Sequence, residues 1–367
     1  MLIILTCSVS FSASAMDAGE FSFNQFGTAG LSHLGGESDG QSFGIRGQTN
    51  DKWRGDQLSR YGAQLKYGIT EEISVTGLLL TKPESDEWEV EAELLYLSWQ
   101  ASDRLMLRGG RLRAPLYKYS ETLDVGITYP WLRLPDEVYG QIQMSNFEGA
   151  DLVYTVPLEF GSFNVQLAGG QAVDRNLFMA DDLFDIDYKE YRSAVLSLDT
   201  NSYGSLRASY NRAEMKLNTP LAVLDGNKGQ FGSISYQYDN GTWFTSTEAV
   251  RFTAEGNVMS DSDAFYVMGG RRFGKFAAHL TFAQLDAENA GIQASTTYAL
   301  NYNIRPNIIL KSEYKRVDTR GGFAGIFALK ADELMANGMF AMSGGTMGSA
   351  PRNFDGDIVS IGIEFAM

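Results

Sequence analysis

Apolar and polar residues alternate with a period of two in many short segments of this chain, and this pattern constrains the fold more than any other feature. The alternation is clear at residues 61–69, 89–94, 206–211 and 310–315. Successive side chains of a β-strand point to opposite faces of the sheet, so each segment predicts a strand with one apolar and one polar face. Such strands fit a soluble β-sandwich or a membrane barrel, because both architectures separate an apolar side from a wet one.

The connections between these strands distinguish the two architectures. Seven short connections are rich in turn-forming residues, at residues 70–72, 101–103, 159–161, 200–202, 239–241, 273–274 and 305–307. Eight longer ones lie between them, at about 34–55, 82–87, 114–145, 173–187, 215–228, 255–262, 286–292 and 318–355. Seven turns interleaved with eight loops require sixteen strands. We therefore predict an all-β fold, a 16-stranded antiparallel transmembrane β-barrel with short periplasmic turns and long extracellular loops.

The first 15 residues have the features of a secretory signal peptide. Residues 2–5 are apolar, and residues 13–15 read Ala-Ser-Ala, which is typical of a cleavage site. We predict that residues 1–15 are removed and that residues 16–367 form a single barrel domain. The one cysteine, Cys7, lies in the removed segment, so no disulfide is expected to stabilise the mature chain.

The charge and the histidines argue against several classes of function. The net charge of −15 disfavours nucleic acid as a partner, because binding to phosphates needs a basic face. The two histidines, His33 and His279, are far apart in the sequence, and no nucleophile motif accompanies either of them. Without a cysteine in the mature chain they offer no metal-ligand spacing. We predict no enzymatic activity, no metal site and no cofactor.

The third long connection, residues 114–145, is unusually long for a loop and rich in aromatic residues. The segment contains three prolines and five large aromatic residues: Tyr117, Tyr119, Tyr129, Trp131 and Tyr139. So many apolar side chains need a surface to pack against. We therefore predict that this loop folds inward and narrows the barrel as a constriction loop.

Several short motifs carry a resemblance to a known family. The run from Arg108 to Tyr117, the segments 124–126 and 129–131, the segment 266–274 (YVMGGRRFG) and the segment 310–314 resemble Gram-negative porins, particularly the phosphate-selective group. The resemblance implies an integral protein of the Gram-negative outer membrane, in contact with lipid and lipopolysaccharide. It also implies a homotrimer with one pore per subunit that passes small hydrophilic solutes or ions. Proteins of this family usually end in phenylalanine. This chain departs from that pattern, because Phe365 is followed by Ala366 and Met367.

Selectivity in such a pore depends on charges at its narrowest section. The candidate wall residues are basic: Arg60, Lys66, Arg108, Arg111 and Arg113. The candidate loop residues carry both signs: Lys118, Glu121, Asp124, Arg133, Asp136 and Glu137. We expect a transverse field between a basic wall and an acidic loop, although the same arginines also fit ordinary lumen charges. Further charges on the predicted lumen face leave the ion preference open: Glu89, Glu91, Glu93, Lys311 and Glu313.

Two other functions fit parts of the pattern. A barrel could act through its surface loops, as an adhesin or a receptor, and the connection 318–355 is unusual in its methionines: Met335, Met339, Met342 and Met347. A soluble exported β-sheet protein that binds carbohydrate or peptide would also show alternation and aromatic residues. The diffusion channel is the hypothesis that explains both the alternation and the lengths of the connections.

Overall fold

A computed structural model describes residues 17–36, 42–43, 52–56, 58–84, 87–179, 182–218, 223–255, 260–329 and 331–367. The predicted signal peptide, residues 1–15, lies outside the described residues. The described part of the chain consists mostly of long strands joined by tight turns at one end and by longer segments at the other.

Sixteen strands form the barrel: β1 (Phe21–Gly36), β3 (Arg60–Gly68), β4 (Ile73–Glu84), β5 (Glu87–Ser102), β6 (Leu105–Arg113), β7 (Asn146–Leu158), β8 (Gly161–Met179), β9 (Asp182–Thr200), β10 (Gly204–Asn218), β11 (Val223–Asp239), β12 (Trp243–Ala254), β13 (Ser262–Phe273), β14 (Phe276–Ala287), β15 (Gly291–Arg305), β16 (Ile308–Arg320) and β18 (Asp355–Ala366). Two short strands, β2 (Ser42–Phe43) and β17 (Phe327–Ala328), pair with each other in a separate two-stranded sheet. The helices are α1 (Asp136–Tyr139) and α2 (Ala331–Met342). No helix among the described residues is long and apolar enough to cross a membrane.

The barrel is closed and antiparallel throughout. Each barrel strand pairs with its neighbours in sequence order, and β18 pairs with β1 to close the cylinder. The seven predicted turns all fall between consecutive strands at one end of the barrel. The sixteen-stranded barrel predicted from turns and loops is therefore confirmed, and the sandwich is excluded as an architecture.

Burial alternates along the strands, as the sequence predicts. In β10, Arg207, Ser209 and Asn211 face the interior and are buried, whereas Leu206 and Tyr210 face outward and are exposed. The outward side chains are mostly apolar, and aromatic ones gather near the turn end: Tyr67, Trp99, Trp243, Phe273 and Phe276. An apolar outer face with aromatic residues near its rim is the surface that a bilayer requires.

Two predicted loops are instead largely strand. The hairpins β8–β9 and β10–β11 extend well into the predicted connections 173–187 and 215–228, of which residues 180–181 and 219–222 are not described. Apolar side chains continue to alternate inward there, and Leu177, Ile186 and Leu217 are buried in the interior cluster. The strand pairing continues because these side chains still pack against the interior cluster. The local sequence, which is rich in turn-forming residues, does not reveal that contact.

Candidate functional site

Residues 114–145, here called the inserted loop, leave β6 and return to β7 after crossing the interior of the barrel. The two ends of the loop meet, because the backbone N–H of Ala114 donates to the carbonyl oxygen of Ser145 at 3.0 Å. The loop contains two short 3₁₀ turns, Ser120–Thr122 and Gly126–Thr128, and the single helical turn α1. The third long loop is thus folded inward, as the sequence predicts.

Aromatic side chains fasten the inserted loop to strands β12–β14. Trp131 is only 1% exposed, its indole N–H donates to Thr281 Oγ1 at 2.8 Å, and its ring lies 5.3 Å from the ring of Tyr266. The Tyr119 hydroxyl donates to Ser246 Oγ at 3.2 Å. The wall that receives these rings is apolar on its inner side, with Phe231, Phe244, Phe252, Met268, Ala277 and Ala283 buried. The alternation predicts a wet lumen, but this half of it is dry because the loop covers the wall.

Glu248 on β12 is a buried polar anchor for the loop. Its carboxylate accepts hydrogen bonds from the backbone N–H of Lys118 at 2.9 Å, from the Tyr139 hydroxyl at 2.8 Å and from Ser233 Oγ at 2.7 Å. Several donors are needed to stabilise a carboxylate away from water. Glu248 therefore binds both limbs of the inserted loop to one strand.

Lys311 on β16 is the second anchor. Its ammonium lies within 2.9 Å of the backbone carbonyl oxygens of Gly126, Tyr129 and Trp131, and 2.5 Å from the carboxylate of Glu364 on β18. Both side chains are almost completely buried. A Cβ atom on Gly126 would lie 2.1 Å from Glu364 Oε1, so a larger residue here would force the Glu364 carboxylate or the loop to shift.

Two of the predicted loop charges bind β16 as well. Lys315 Nζ lies 2.8 Å from Asp136 and 3.3 Å from Glu137, and Gln293 donates to Glu137 at 2.7 Å. Burial alone would raise the pKa of Asp136, but the charge of Lys315 and then that of Arg133 lower it below its ordinary value. These loop acids therefore face a lysine across the barrel and not the predicted arginine wall.

Arg113, at the loop end of β6, pairs with the other predicted acid. Its guanidinium lies 2.6 Å from Asp124 of the inserted loop and 2.7 Å from Glu93 of β5. A register shift in the β4–β5 ladder beside Glu93 lets that side chain reach the interior. Burial would raise the pKa of Asp124, but Arg113 above all keeps it below its ordinary value.

Arg108 lies nearer the turn end of β6 than Arg113 does. It forms a second cluster of one cation with two carboxylates. It makes two hydrogen bonds to Asp151 of β7, at 2.9 and 2.5 Å, and lies 3.6 Å from Glu121 of the inserted loop. The structure thus places two predicted wall residues, Arg108 and Arg113, beside two predicted loop residues, Glu121 and Asp124.

Arg60 and Arg133 line a cavity of about 270 Å³ between the inserted loop and strands β3 and β4. The guanidinium of Arg60 donates to the Tyr129 hydroxyl at 2.7 Å. Burial raises the pKa of Tyr129 to about 12, so this hydroxyl keeps its proton at neutral pH. Other polar residues of the cavity carry both signs of charge: Asp56, Lys82 and Asp136.

The side chains of two predicted site residues, Lys66 and Lys118, lie apart from these clusters. Lys66 lies on the inner face of β3 near the turn end and takes part in none of the ion pairs between described residues. Lys118 extends toward the turn end, where its ammonium donates to Ser205 Oγ at 2.7 Å, and burial lowers its pKa.

Arg111 does not line the barrel interior. The next residue, Leu112, is buried in the interior cluster, and adjacent side chains within a strand point to opposite faces. Arg113 turns inward despite this alternation because it is the last residue of β6. The register neighbour of Arg111, Leu95, is an exposed outward residue, and the Arg111 guanidinium lies 2.8 Å from Glu148 on the outer face. The prediction that Arg111 is a wall residue is corrected by this register.

Sequence reasoning missed several wall residues that hold the loop: Arg207, Glu248, Lys315 and Glu364. Arg207, for example, donates to the carbonyl oxygen of Pro115 at 2.5 Å. Alternation could have placed each of them on the inner face. Nothing in the local sequence indicates that the loop reaches them, because the contacts join residues roughly 90 to 240 positions apart.

The part of the interior near the turn end remains accessible to solvent. Polar side chains there, on the inner faces of β1, β3–β5, β8 and β9, are partly or fully exposed: Asn24, Gln64, Lys66, Ser74, Ser98, Asn164, Gln166 and Asp199. At the level of the inserted loop, Leu78, Leu80 and Leu94 of β4 and β5 are buried beside Val125. The accessible space at that level is the cavity between the loop and strands β3 and β4.

Comparison with known proteins finds similarity in structure alone. No protein-family model and no curated protein matches the chain. Among solved structures, OmpF of Salmonella typhi is similar with a TM-score of 0.59 and 11% identity, covering 96% of this chain and 98% of that one. The anion-selective porin from Comamonas acidovorans has a TM-score of 0.57 and 14% identity, covering 95% and 100%.

OmpT of Vibrio cholerae, an outer-membrane protein, has a TM-score of 0.58 and 13% identity and covers 96% of this chain and 99% of its own. These similarities extend over nearly the whole length of both partners. The chain therefore has the closed sixteen-stranded barrel fold seen in solved Gram-negative outer-membrane porins.

Proposed function

We propose that the protein is an outer-membrane porin that lets small hydrophilic solutes or ions diffuse through a pore narrowed by the inserted loop. One observation carries the proposal. Buried anchors hold the loop against β10–β16 and β18, while a cavity of about 270 Å³ with charged residues in its lining lies between the loop and strands β3 and β4. A barrel of sixteen strands is wide enough to keep an aqueous passage beside such a loop.

The charges beside the loop support weak ion selectivity. The cations Arg108, Arg113 and Lys315 each have carboxylates within 4 Å, so their fields are compensated over short distances. Opposite charges therefore meet in local pairs, and the expected transverse field between a basic wall and an acidic loop is weakened. The finer likeness to phosphate-selective porins stays a prediction, since the wall offers few uncompensated cations.

The cellular setting follows from the same proposal. Residues 1–15 act as a signal peptide, the apolar outer face contacts lipid and lipopolysaccharide, and three chains assemble into a homotrimer. A trimer form of Vibrio cholerae OmpT is among the similar structures, with a TM-score of 0.55 and 14% identity. It supports a trimeric assembly for this chain.

The contacts of the histidines disfavour an enzyme. His279 Nε2 lies 3.2 Å from the carbonyl oxygen of Pro130, and its ring packs against Trp131. His33 packs beside Trp53. Each histidine therefore has packing contacts in place of the nucleophile or acid that a catalytic base requires.

Planar-bilayer recording of the purified, folded protein tests the proposal. We expect steady channels whose conductance rises in proportion to the salt concentration. Shortening the inserted loop between residues 118 and 136 should raise the conductance, because that segment occupies the lumen. Folding is checked by the altered gel migration of the unheated barrel, and trimers should appear in the same unheated lanes.

A folded barrel that forms no channels would overturn the pore. A chain that stays monodisperse in plain buffer without detergent would overturn the membrane location. An unchanged conductance after shortening the loop, with folding intact, would show that the loop does not set the narrowest section.

A further inference from the structure

The connection between β16 and β18, residues 321–354, is here called the last loop, and its two ends are fixed in the barrel mouth. The rings of Phe327 and Phe354 stack with their centroids 5.5 Å apart, and both are buried against Leu34 and Val317 on the inner wall. Helix α2 lies between these two anchors. Both ends of the segment that contains α2 are therefore fixed to the barrel wall.

Four methionines of the last loop are exposed to solvent. The exposed fractions are 68% for Met335, 38% for Met339, 84% for Met342 and 62% for Met347. Among the side chains that the structure describes between residues 332 and 350, every large apolar one that is exposed is a methionine. A surface selected only for hydrophobicity would also use leucine, isoleucine or phenylalanine, so the shared property is the thioether.

The first three methionines lie on one face of α2. Met335, Met339 and Met342 are spaced i, i+4 and i+7, which are neighbouring positions along one side of a helix. In a helix the side chains at these positions are separated by one turn each. Their sulfur atoms can therefore approach a common point above the helix surface.

The chain after α2 turns back along the helix and returns the fourth methionine to it. The backbone N–H of Gly345 donates to Phe340 O at 2.9 Å, and that of Ser349 donates to Ala336 O at 3.2 Å. The N–H of Met347 donates to Ser343 Oγ at 2.9 Å. Gly348, with φ of +82°, packs so closely that a Cβ atom would lie 2.1 Å from Ala336 O. This tight return packs on the side of α2 that carries Ala336 and Phe340, which adjoins the methionine face, and it holds Met347 beside Ser343.

We propose that Met335, Met339, Met342 and Met347 form a binding site for a soft monovalent cation, Cu(I) or Ag(I). Thioether sulfur is a neutral, polarizable ligand that favours soft ions over Zn(II), Mg(II) or Ca(II). The nearby carboxylate of Glu333 is engaged by Arg352 at 2.8 Å. The exposed Asp332 lies one turn before Met335, so thioether sulfur is the donor that this face presents from Met335 onward. Among the described residues, no group of His, Cys, Asp or Glu is placed to hold a metal ion.

Silver retention by the folded full-length barrel tests this site. Ag(I) serves as the probe because it does not change oxidation state, and chloride-free nitrate buffer keeps it dissolved. A Cys7→Ser background removes the one thiol of the chain. After gel filtration, we expect about one silver ion per chain by elemental analysis, and X-ray absorption should show a shell of sulfur ligands only.

The decisive variant replaces all four methionines by leucine, which keeps size and hydrophobicity but removes sulfur. It should weaken silver binding by roughly tenfold or more, because leucine offers no ligand atom. The matched control replaces three buried methionines, Met144, Met215 and Met268, by leucine and should bind silver like the parent.

A parent protein that retains no silver would overturn the site, and so would a leucine variant that retains as much silver as the parent. Zn(II) bound as tightly as Ag(I) would overturn the thioether chemistry. Single-channel conductance should be the same in the leucine variant, so failure of this site and failure of the pore are separate results.

Discussion

The ammonium of Lys311 lies 2.5 Å from the carboxylate of Glu364, and the inserted loop covers both groups. The same ammonium contacts three backbone carbonyl oxygens of that loop. One buried ion pair between neighbouring strands is thus also the anchor of a segment more than 180 residues away in sequence. The stability of the barrel wall and the position of the loop are coupled through it.

Glu364→Gln should destabilise the folded barrel by about 3–5 kcal/mol, because it leaves the ammonium of Lys311 buried without its counter-charge. The temperature at which the unheated gel band converts to the unfolded one measures the loss. Arg316→Gln is the matched control, since Arg316 on β16 pairs with Asp355 on β18 at the surface and its loss should barely change that temperature. Equal conversion temperatures for Glu364→Gln and the parent would contradict the coupling.

Gly126→Ala should displace the inserted loop, because the added Cβ would lie 2.1 Å from Glu364 Oε1. We expect a changed single-channel conductance and noisier open states in planar bilayers. Gly269→Ala provides the control, as its Cβ would meet no atom within 4 Å. If both variants show the same conductance and open-state noise as the parent protein, the loop does not approach Glu364 so closely.

Arg108→Gln should shift the permeability ratio toward cations. The substitution removes a positive charge but leaves the carboxylates of Asp151 and Glu121 in the lumen. The reversal potential under a salt gradient measures the ratio. Arg111→Gln, on the same strand but on the outer face, should leave it unchanged, and a larger shift for Arg111→Gln than for Arg108→Gln would refute this assignment of faces.

Acid should release the inserted loop only at low pH. The pKa values of Asp124 and Asp136 lie below the ordinary value of 3.8, mainly because Arg113 and Lys315 oppose the effect of burial. Their contribution is therefore complete above that value and is lost as the pH falls through the lowered pKa. We expect the loop to stay bound from about pH 7 to about pH 4 and to detach below.

Tryptophan fluorescence can follow this release. Trp131 is buried, whereas Trp53, Trp88, Trp99 and Trp243 are about half exposed. Release should shift the emission to longer wavelength, and the shift should vanish in Trp131→Phe. A Trp131-dependent shift already complete near pH 6 would mean that other groups control the loop.

Much of the site could be read from the sequence. Arg108 and Arg113 belong to the predicted wall residues, and Glu121 and Asp124 to the predicted loop residues; the structure places each arginine within 4 Å of one of these acids, although the sequence does not predict which pairs form. Alternation along β6 places Arg111 outward, but the same rule would place Arg113 outward as well, and only the end of the strand turns Arg113 inward. By contrast, the pairing of Asp136 and Glu137 with Lys315 joins positions nearly 180 residues apart and leaves no local trace.

Most of the strands, the turns and the two faces of the wall follow from the local sequence. These are local properties, since a period of two and a turn-forming residue act on the few residues beside them. Which part of the lumen is dry depends instead on the complete fold, because the inserted loop must reach its apolar partners there. Closing the barrel brings Trp131 to Tyr266 and Glu248 to Lys118, and such contacts exist only once distant strands share one interior.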